Sequence, residues 1–260
     1  MTAAAPARRA RPGNFAAATV GLGALAAFLL AVEILIQIGV VNRFIVPPPS
    51  EIIGSFGRVI VEENVFGRFL LTLTECLTAG VMLTVFGVAG GVLMHRFKLL
   101  QQACETWVAA MASAPIVLMY PLFLVIFGRN AWTIIMMGFV AALPPVILKT
   151  IEGIAGTRKV LVNVGRSFNL NATQQFWKIL FPAALPTIFV GLRLGLIFAL
   201  INIVGVEFLI NFGGLGQLIN ELAERYDLAG TYAAICFVIL VSIVFFMALE
   251  KAERWLRPVD

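Results

Sequence analysis

Three carboxylate residues, Glu33, Glu75 and Glu207, lie inside long apolar stretches of this sequence. A charge at the centre of a bilayer costs roughly 3 kcal/mol on insertion scales, so each of them needs a physical reason. Such groups could line or gate a path for a polar solute, or they could be protonated or hydrogen-bonded between helices. The structural role is favoured for Glu33. Glu207 is a candidate for either role, because Asn202 and Asn211 accompany it on the same stretch.

The sequence offers little other reactive chemistry. His95 is the only histidine, and the three cysteines lie far apart without a CxxC pair, so neither a metal site nor a disulfide framework is predicted. No nucleophile and base pair is evident, which argues against a membrane enzyme. The phosphate-binding pattern GxxxxGK[ST] is absent. We therefore expect no catalytic residue and no cofactor bound by this chain.

The composition indicates an integral membrane protein. Of the 260 residues, 60% are hydrophobic and 13% are charged, whereas soluble domains carry about 25% charged residues. A helical crossing needs about 20 mostly apolar residues. Six stretches meet this condition, at residues 15–41, 69–94, 107–127, 131–148, 187–210 and 228–249.

The basic residues predict an orientation. With the amino terminus in the cytoplasm, 13 of the 19 Lys and Arg residues fall on the inner side, five fall outside and Arg193 lies within the fifth span, as the positive-inside rule requires. Arg193 could pair with a residue of another helix, but we favour extension of its guanidinium towards the inner surface. The domain prediction is a cytoplasmic tail (1–14), a six-helix membrane domain (15–250) and a second cytoplasmic tail (251–260). The basic charge then reports topology, and nucleic-acid binding is not expected.

The connection between the first two spans predicts a short amphipathic helix. Three prolines end the first span, and Ser50 followed by Glu51 is typical of a helix start. Apolar residues then recur at helical spacing, which favours a helix lying along the membrane surface. They are Ile52, Ile53, Phe56, Val59 and Ile60.

A polar segment, residues 151–186, follows the fourth span and would face the cytoplasm. Its apolar residues predict two short helices. Asn169 between them tolerates the left-handed conformation that ends helices, and Asn171 with Gln174 matches a capping box. Pro182 is expected to end the second helix. An exposed apolar patch usually marks an interface, but packing on lipid or on the chain's own bundle remains an equal alternative.

Parts of the polar segment resemble a known sequence pattern. VNVGRSFNLNATQQFWKILFPAALP is similar to the cytoplasmic loop of binding-protein-dependent ABC transporter permeases, which carries Glu-Ala-Ala, then Gly and a later Leu-Pro. Asn163 stands at the Glu position, Asn169 at the Gly position and Pro182 at the proline. Asn169 keeps the left-handed tolerance, whereas Asn163 removes a charge. FIVPPPSEI, ASAPIVLMYPLFLVIFG and GLRLGLIFALINIVGVEFLINFGGLGQLI resemble segments of the nitrate, sulfonate and taurine branch.

The resemblance implies a fold, partners and site residues. The fold would be the all-α type I ABC importer permease fold, with six transmembrane helices and a cytoplasmic coupling helix in the bacterial inner membrane. The partners would be two ATPase subunits carrying ATP and Mg, and an extracytoplasmic binding protein that delivers nitrate, a sulfonate, taurine or a pyrimidine precursor. The residues implied for ATPase coupling are Asn163, Gly165, Phe168, Asn169, Phe176, Trp177 and Pro182. The residues suggested for the path or gate are Glu75, Asn202, Glu207 and Asn211.

Two further expectations concern assembly and the main alternative. Six spans are too few to enclose a roomy path, so we expect a homodimer with the path at its two-fold axis. The rival class is a stand-alone secondary transporter or channel. Such proteins tend to contain inverted repeats, and the two halves of this sequence show none.

Overall fold

The computed structural model describes the backbone of residues 14–256 and the side chains of residues 19–254. Every regular element in this range is helical, as the sequence predicts. The first six helices are α1 (Asn14–Gln37), α2 (Pro49–Glu62), α3 (Val65–Met82), α4 (Val88–Arg96), α5 (Lys98–Ser113) and α6 (Tyr120–Phe127). The next six are α7 (Ala131–Ala155), α8 (Lys159–Ser167), α9 (Ala172–Gln175), α10 (Phe181–Ile210), α11 (Gly214–Glu224) and α12 (Leu228–Leu256).

Five helical stretches of the described range are long and apolar enough to cross a membrane. They are Thr19–Gln37, Val65–Arg96, Ala131–Ala155, Ala172–Ile210 and Leu228–Arg254. A sixth crossing is reached when α5 and α6 count together, although these helices meet at 93°. The third span predicted at residues 107–127 is therefore broken into two helices and is not a single continuous helix. Proline disfavours helical backbone in the residue before it, and Ala114, which precedes Pro115, is extended with ψ 134°.

The ends of the predicted spans also differ from the structure. A wide π-turn, Leu83–Gly87, joins α3 to α4, so the second crossing extends from Val65 to Arg96. Helix α12 continues to Leu256 and therefore includes the first residues of the predicted tail 251–260. The predicted tail 1–14 lies outside the described residues, except for Asn14, where α1 begins.

Helices α3, α7 and α10 form the centre of the bundle. Their buried side chains make one apolar cluster that includes Ala79, Met137 and Ile203. Small residues allow α7 and α10 to approach closely. A Cβ on Gly138 would lie 2.7 Å from Ile203 Cγ1, and one on Gly195 would lie 2.6 Å from Val146 Cγ2. The glycines thus determine how closely these two helices pack.

Helix α1 is attached to the bundle mainly through α2. The Glu33 carboxylate accepts hydrogen bonds from Ser50 N at 3.1 Å and Ser50 Oγ at 2.8 Å. Ser50 is not the N-cap residue, because α2 begins one residue earlier, at Pro49. The first turn of a helix presents free N–H groups. In α2 one of these groups, Ser50 N, donates to the Glu33 carboxylate of α1, which thus replaces a local capping side chain. The structural role predicted for Glu33 matches this contact.

The apolar residues of α2 divide between two faces. Ile52, Phe56 and Val59 pack with residues of α11 and α12, and Val59 is buried. Ile53 and Ile60 remain exposed. The helix therefore uses one apolar face to pack on its own bundle, which the surface-helix prediction did not include.

Ion pairs join α2 to the connection between α11 and α12. Arg58 contacts Asp227 at 2.6 Å, and Arg225 contacts Glu63 at 2.7 Å. Burial alone would raise the pKa of Asp227, but the bonds from Arg58 and from Gly230 N outweigh it and lower that pKa. Because Asp227 also accepts from the first turn of α12, it fixes α2 and the start of α12 together.

Arg193 forms an ion pair, in contrast to the prediction that it extends to the surface. Its guanidinium contacts Glu253 on α12 at 2.8 Å and lies over the ring of Phe246. Glu253 is buried, and a buried carboxylate is stable only with a partner. The pair therefore links α10 to the end of α12.

Candidate functional site

The polar segment folds as two short helices at one end of the bundle, which we call the α8 end. Helix α8 ends before Asn169, whose φ of +51° is left-handed, as predicted. Asn171 and Gln174 form a capping box with both reciprocal hydrogen bonds, at 2.8 Å and 3.1 Å, also as predicted. Local sequence therefore determines the turn between the two helices.

Helix α8 rests directly on the start of the second helix. A Cβ on Gly165 would lie 2.5 Å from Ile179 Cδ1, so the two helices are in close contact at this glycine. Gln175 Nε2 donates to the carbonyl oxygen of Val162 at 3.1 Å. Gly165 is buried at this contact, whereas Asn163 is exposed on the opposite face of α8. The two helices therefore form one small packed unit.

The prediction that Pro182 ends the second helix is wrong. A π-turn, Phe176–Leu180, follows α9, and the helix continues without interruption from Ala172 to Ile210. A proline inside a helix lacks an N–H and its ring collides with the carbonyl four residues earlier. In the π-turn the hydrogen bonds span five residues, as from Phe181 N to Phe176 O, and this wider turn just before Pro182 makes room for the ring.

The three candidate docking aromatics lie in different environments. Phe168 is 76% exposed and Trp177 is 60% exposed. Phe176 instead packs with Ile154 and Ala184 of the bundle. The Trp177 ring contacts that of Phe176 at a centroid distance of 5.1 Å. Phe168 and Trp177 are therefore available to a partner, whereas Phe176 mainly supports Trp177.

A cavity of about 410 Å³ adjoins Phe176 and Trp177. It lies between α4 and the second helix of the polar segment, and its wall includes His95, Arg96, Thr173 and Trp177. Apolar rings and basic side chains thus share one concave surface at the α8 end. Such a surface can receive an apolar or acidic side chain of another protein.

The other end of the bundle, which we call the α11 end, contains a buried polar cluster. Glu207 is fully buried, and its Oε1 accepts from Thr72 Oγ1 at 2.7 Å. Its Oε2 accepts from Gly216 N at 2.8 Å, and Thr72 Oγ1 accepts from Leu215 N at 3.0 Å. The first turn of α11 therefore has its amide groups satisfied by α3 and α10 instead of by a local cap.

Glycine residues create the space for this carboxylate. A Cβ on Gly216 would overlap the carbonyl oxygen of Val204 and would lie 2.7 Å from Glu207 Cβ. Gly214 has φ +75° and faces the Glu207 carboxyl directly. The Gly-Leu-Gly sequence and Glu207 are thus parts of one structure, which holds α11 against α10.

The remaining path candidates lie on or near α10. Glu75 is buried, with 2% exposure, and lies beside Glu207. Neither of its carboxyl oxygens is within hydrogen-bonding geometry of a donor among the described residues. Asn202 is half-buried and donates to Phe198 O at 2.9 Å. Asn211 ends α10 in a left-handed conformation. The structure thus brings Glu75 and Glu207 together and leaves Asn202 on a separate part of α10.

Two residues that contribute to this end of the protein, Arg129 and Thr72, were not predicted from the sequence. Arg129 donates from Nε to Ile210 O at 2.9 Å and from a terminal nitrogen to Asn211 O, which satisfies carbonyls at the end of α10. The arginine pairing could not be inferred from local sequence, since 81 residues separate Arg129 from Ile210.

Comparisons with known proteins agree with this architecture. The family described as "Binding-protein-dependent transport system inner membrane component" matches residues 83–258, more than half of the chain. The chain is 24% identical to the formylaminopyrimidine transport permease protein ThiX of Halalkalibacterium halodurans, over 83% of this chain and 86% of the relative. It is 21% identical to the taurine transport system permease protein TauC of Escherichia coli, over 92% and 89% of the two chains.

A solved structure has the same fold. A chain of the MetNI methionine ABC transporter, in inward-facing conformations, superimposes with a TM-score of 0.65 at 19% identity. The match covers 75% of this chain and 96% of the transporter chain. The type I importer permease fold predicted from the sequence is therefore confirmed.

Proposed function

The chain belongs to the family of binding-protein-dependent transport system inner membrane components, and we propose that it passes a small solute inward when a separate ATPase engages its polar segment. As in its family, the chain is the transport subunit of an ABC importer, and hydrolysis of ATP takes place on another subunit. The solute class we propose is that of the relatives: a nitrate-like anion, a sulfonate such as taurine, or a pyrimidine precursor.

The observation that carries the proposal is the exposed aromatic surface of the polar segment. Phe168 and Trp177 remain exposed, although Phe176, whose ring contacts that of Trp177, is packed against the bundle. Large aromatic residues next to a concave surface are typical of the centre of a protein interface. We propose that this surface docks in a groove of the ATPase, with the α8 end and both termini in the cytoplasm.

The assembly follows from the same proposal. Two copies of this chain would stand side by side, each engaging one of two ATPase subunits that bind ATP and Mg. An extracytoplasmic binding protein would deliver the solute at the α11 end. The candidates for the path or gate lie towards that end, and this position supports a gate at the α11 end. They are Glu75, Asn202, Glu207 and Asn211.

The test compares two exposed tryptophans. Trp177→Ala removes a docking side chain, whereas Trp107→Ala removes one that is 75% exposed on α5, away from the polar segment. Loss of a central interface aromatic costs about 2 kcal/mol or more, so we expect Trp177→Ala to weaken ATPase binding by roughly 30-fold and to uncouple hydrolysis from uptake.

Trp107→Ala should leave both properties at the wild-type level. Unchanged ATPase binding and uptake in the Trp177→Ala protein would rule out this docking surface. Uptake driven by an ion gradient in a preparation without any ATPase would instead support the rival class of secondary transporters.

A further inference from the structure

Two buried carboxyl groups, Glu75 of α3 and Glu207 of α10, face each other between crossing helices but differ in their partners. Glu207 accepts from Thr72 Oγ1 at 2.7 Å and from Gly216 N at 2.8 Å. Glu75 is equally buried, yet neither of its oxygens has a donor among the described residues. The group within hydrogen-bonding reach of Glu75 is the Glu207 carboxyl, which is an acceptor like itself.

Glu33 shows how this chain accommodates an ionised carboxylate in an apolar stretch. Its oxygens accept from Ser50 N, Ser50 Oγ and Gln37 Nε2 at distances of 3.1, 2.8 and 3.2 Å. An ionised carboxylate only accepts hydrogen bonds, and burying it without donors or a cation is costly. Glu75 lacks both, since the charged group that acts on it is Glu207. Two adjacent carboxylates in one buried site cannot both ionise easily, and such pairs retain a proton.

Other charged groups near the pair are engaged elsewhere. Arg68, about two turns before Glu75 on α3, contacts Glu221 of α11 at 2.6 Å. Arg129 donates to carbonyl oxygens at the end of α10, and the buried Cys76 adds an uncharged thiol. The remaining charged residues of the helices packed on α3 and α10 form other ion pairs or are exposed. They are Glu51, Arg58, Glu62, Lys149, Glu152, Lys178, Arg193, Glu224, Glu250, Lys251, Glu253 and Arg254.

We propose that Glu75 and Glu207 bind one proton between them, inside the membrane, at neutral pH. The proton resides on Glu75, whose O–H donates to the Glu207 carboxylate. Glu207 keeps its negative charge, which the bonds from Thr72 and Gly216 stabilise. Each carboxylate oxygen can accept two hydrogen bonds, so Glu207 has room for this third donor. The bound proton therefore joins α3 to α10 at the place where the first turn of α11 is held.

A proton suits this site better than a metal ion. A hard cation such as Ca²⁺ takes about 6–8 oxygen ligands. The described residues contain no group of three or more His, Cys, Asp or Glu that could hold a metal. Both Glu207 oxygens and the Thr72 hydroxyl already take part in hydrogen bonds. Glu75 alone has free lone pairs, and a single proton is enough to satisfy it.

The first test compares the melting temperatures of the wild type and Glu75→Gln in detergent. Glutamine keeps the shape of a protonated glutamate and can donate an N–H to Glu207, but it has no proton to lose. Between about pH 5 and pH 8 the unfolded glutamate is ionised whereas the folded pair retains its proton, so the wild type should lose about 3–5 °C per pH unit relative to Glu75→Gln. The difference should vanish towards about pH 4, where the unfolded residue is protonated as well.

Glu33→Gln is the matched control. It removes a carboxylate that has donors, so its curve should stay parallel to that of the wild type above about pH 6. Parallel curves for the wild type and Glu75→Gln over the same range would mean that Glu75 is ionised in the folded protein, and they overturn the inference.

Infrared spectroscopy observes the proton directly. At neutral pH the spectrum of the wild type minus that of Glu75→Gln should contain the carbonyl band of a protonated carboxylic acid, which shifts in D₂O. Glu33→Gln should retain this band. The wild type alone decides if Glu75→Gln does not fold, because a spectrum without any protonated carboxyl band at neutral pH overturns the inference.

A last measurement tests for a metal ion in place of the proton. Choline chloride is exchanged for sodium chloride or calcium chloride at constant ionic strength, and no change in melting temperature is expected. A rise of more than about 3 °C in the wild type that is absent in Glu75→Gln would make a cation the occupant and overturn the inference. None of these measurements requires an ATPase or a solute, so their outcome does not depend on the proposed function.

Discussion

Replacing Gly216 by alanine should dislodge α11 from its hydrogen-bonded position. The added Cβ would overlap Val204 O and would lie 2.7 Å from both Glu207 Cβ and Phe208 N. Two of these three atoms belong to the α10 backbone, so no side-chain rotation can relieve the clash. The first turn of α11 must therefore move away from α10.

The structure sets the size of the effect. Overpacking costs about 1–3 kcal/mol, and loss of the 2.8 Å hydrogen bond from Gly216 N to the Glu207 carboxyl adds roughly 1.5–3 kcal/mol. The sum, about 3–6 kcal/mol, should lower the melting temperature of the purified protein by roughly 10 °C. The assay is thermal unfolding in detergent, followed by the fraction that remains monodisperse.

Gly90→Ala is the matched control. A Cβ at Gly90, on α4, would meet Ile147 Cδ1 at 3.6 Å, an ordinary contact. Alanine also favours a helix over glycine by about 0.5–1 kcal/mol, so this variant should melt at or slightly above the wild-type temperature. A Gly216→Ala protein that melts within about 2 °C of Gly90→Ala would refute the reasoning, because that interval corresponds to no more than about 1 kcal/mol.

Two further predictions concern ion pairs. Arg193→Gln removes a cation that contacts the buried Glu253 carboxylate and should cost about 1.5–3 kcal/mol, the range for a hydrogen bond to a charged group. Adding Glu253→Gln should recover most of the lost melting temperature, and equal melting of the single and double variants would contradict this. The pKa of Asp227 is lowered in the folded protein because the bonds from Arg58 and Gly230 outweigh the effect of burial. The ionised Asp227 therefore stabilises the folded state fully above the usual pKa of 3.8. This stabilisation is lost as the pH falls through the lower pKa of the folded state. Acid titration of the melting temperature should show this loss in the wild type and a smaller one in Asp227→Asn; parallel curves would argue against the pair.

Local chemistry made part of the polar segment predictable. The left-handed Asn169 and the capping box of Asn171 and Gln174 depend on residues within a few positions of each other, and both were predicted from sequence. The prediction at Pro182 was wrong because proline ends a helix only when the preceding turn is α-helical and leaves no room for the ring. The π-turn before it, which accommodates the ring, has no comparable sequence signal.

The features that could not be predicted from the sequence depend on contacts between helices that are distant in the chain. Glu207 was a candidate from its apolar surroundings, but its partners Thr72 and Gly216 appear only when α11 folds back on α3 and α10. Pro115 was visible in the sequence, yet hydropathy alone merged both sides of it into one span. Arg193 was expected to reach solvent because Glu253, 60 positions later, gave no sign of lying beside it.

The uninterrupted helix Ala172–Ile210 connects the α8 end of the protein to the α11 end. Thirty residues separate Trp177 from Glu207, so about 45 Å of continuous helix joins the exposed aromatic surface to the buried carboxylate. A tilt of about 5° about the Trp177 end would move Glu207 by about 4 Å, more than the reach of a hydrogen bond. A partner that rocks the α8 end by a few degrees could thus break or remake the contacts that hold α11, with no change inside the helix itself.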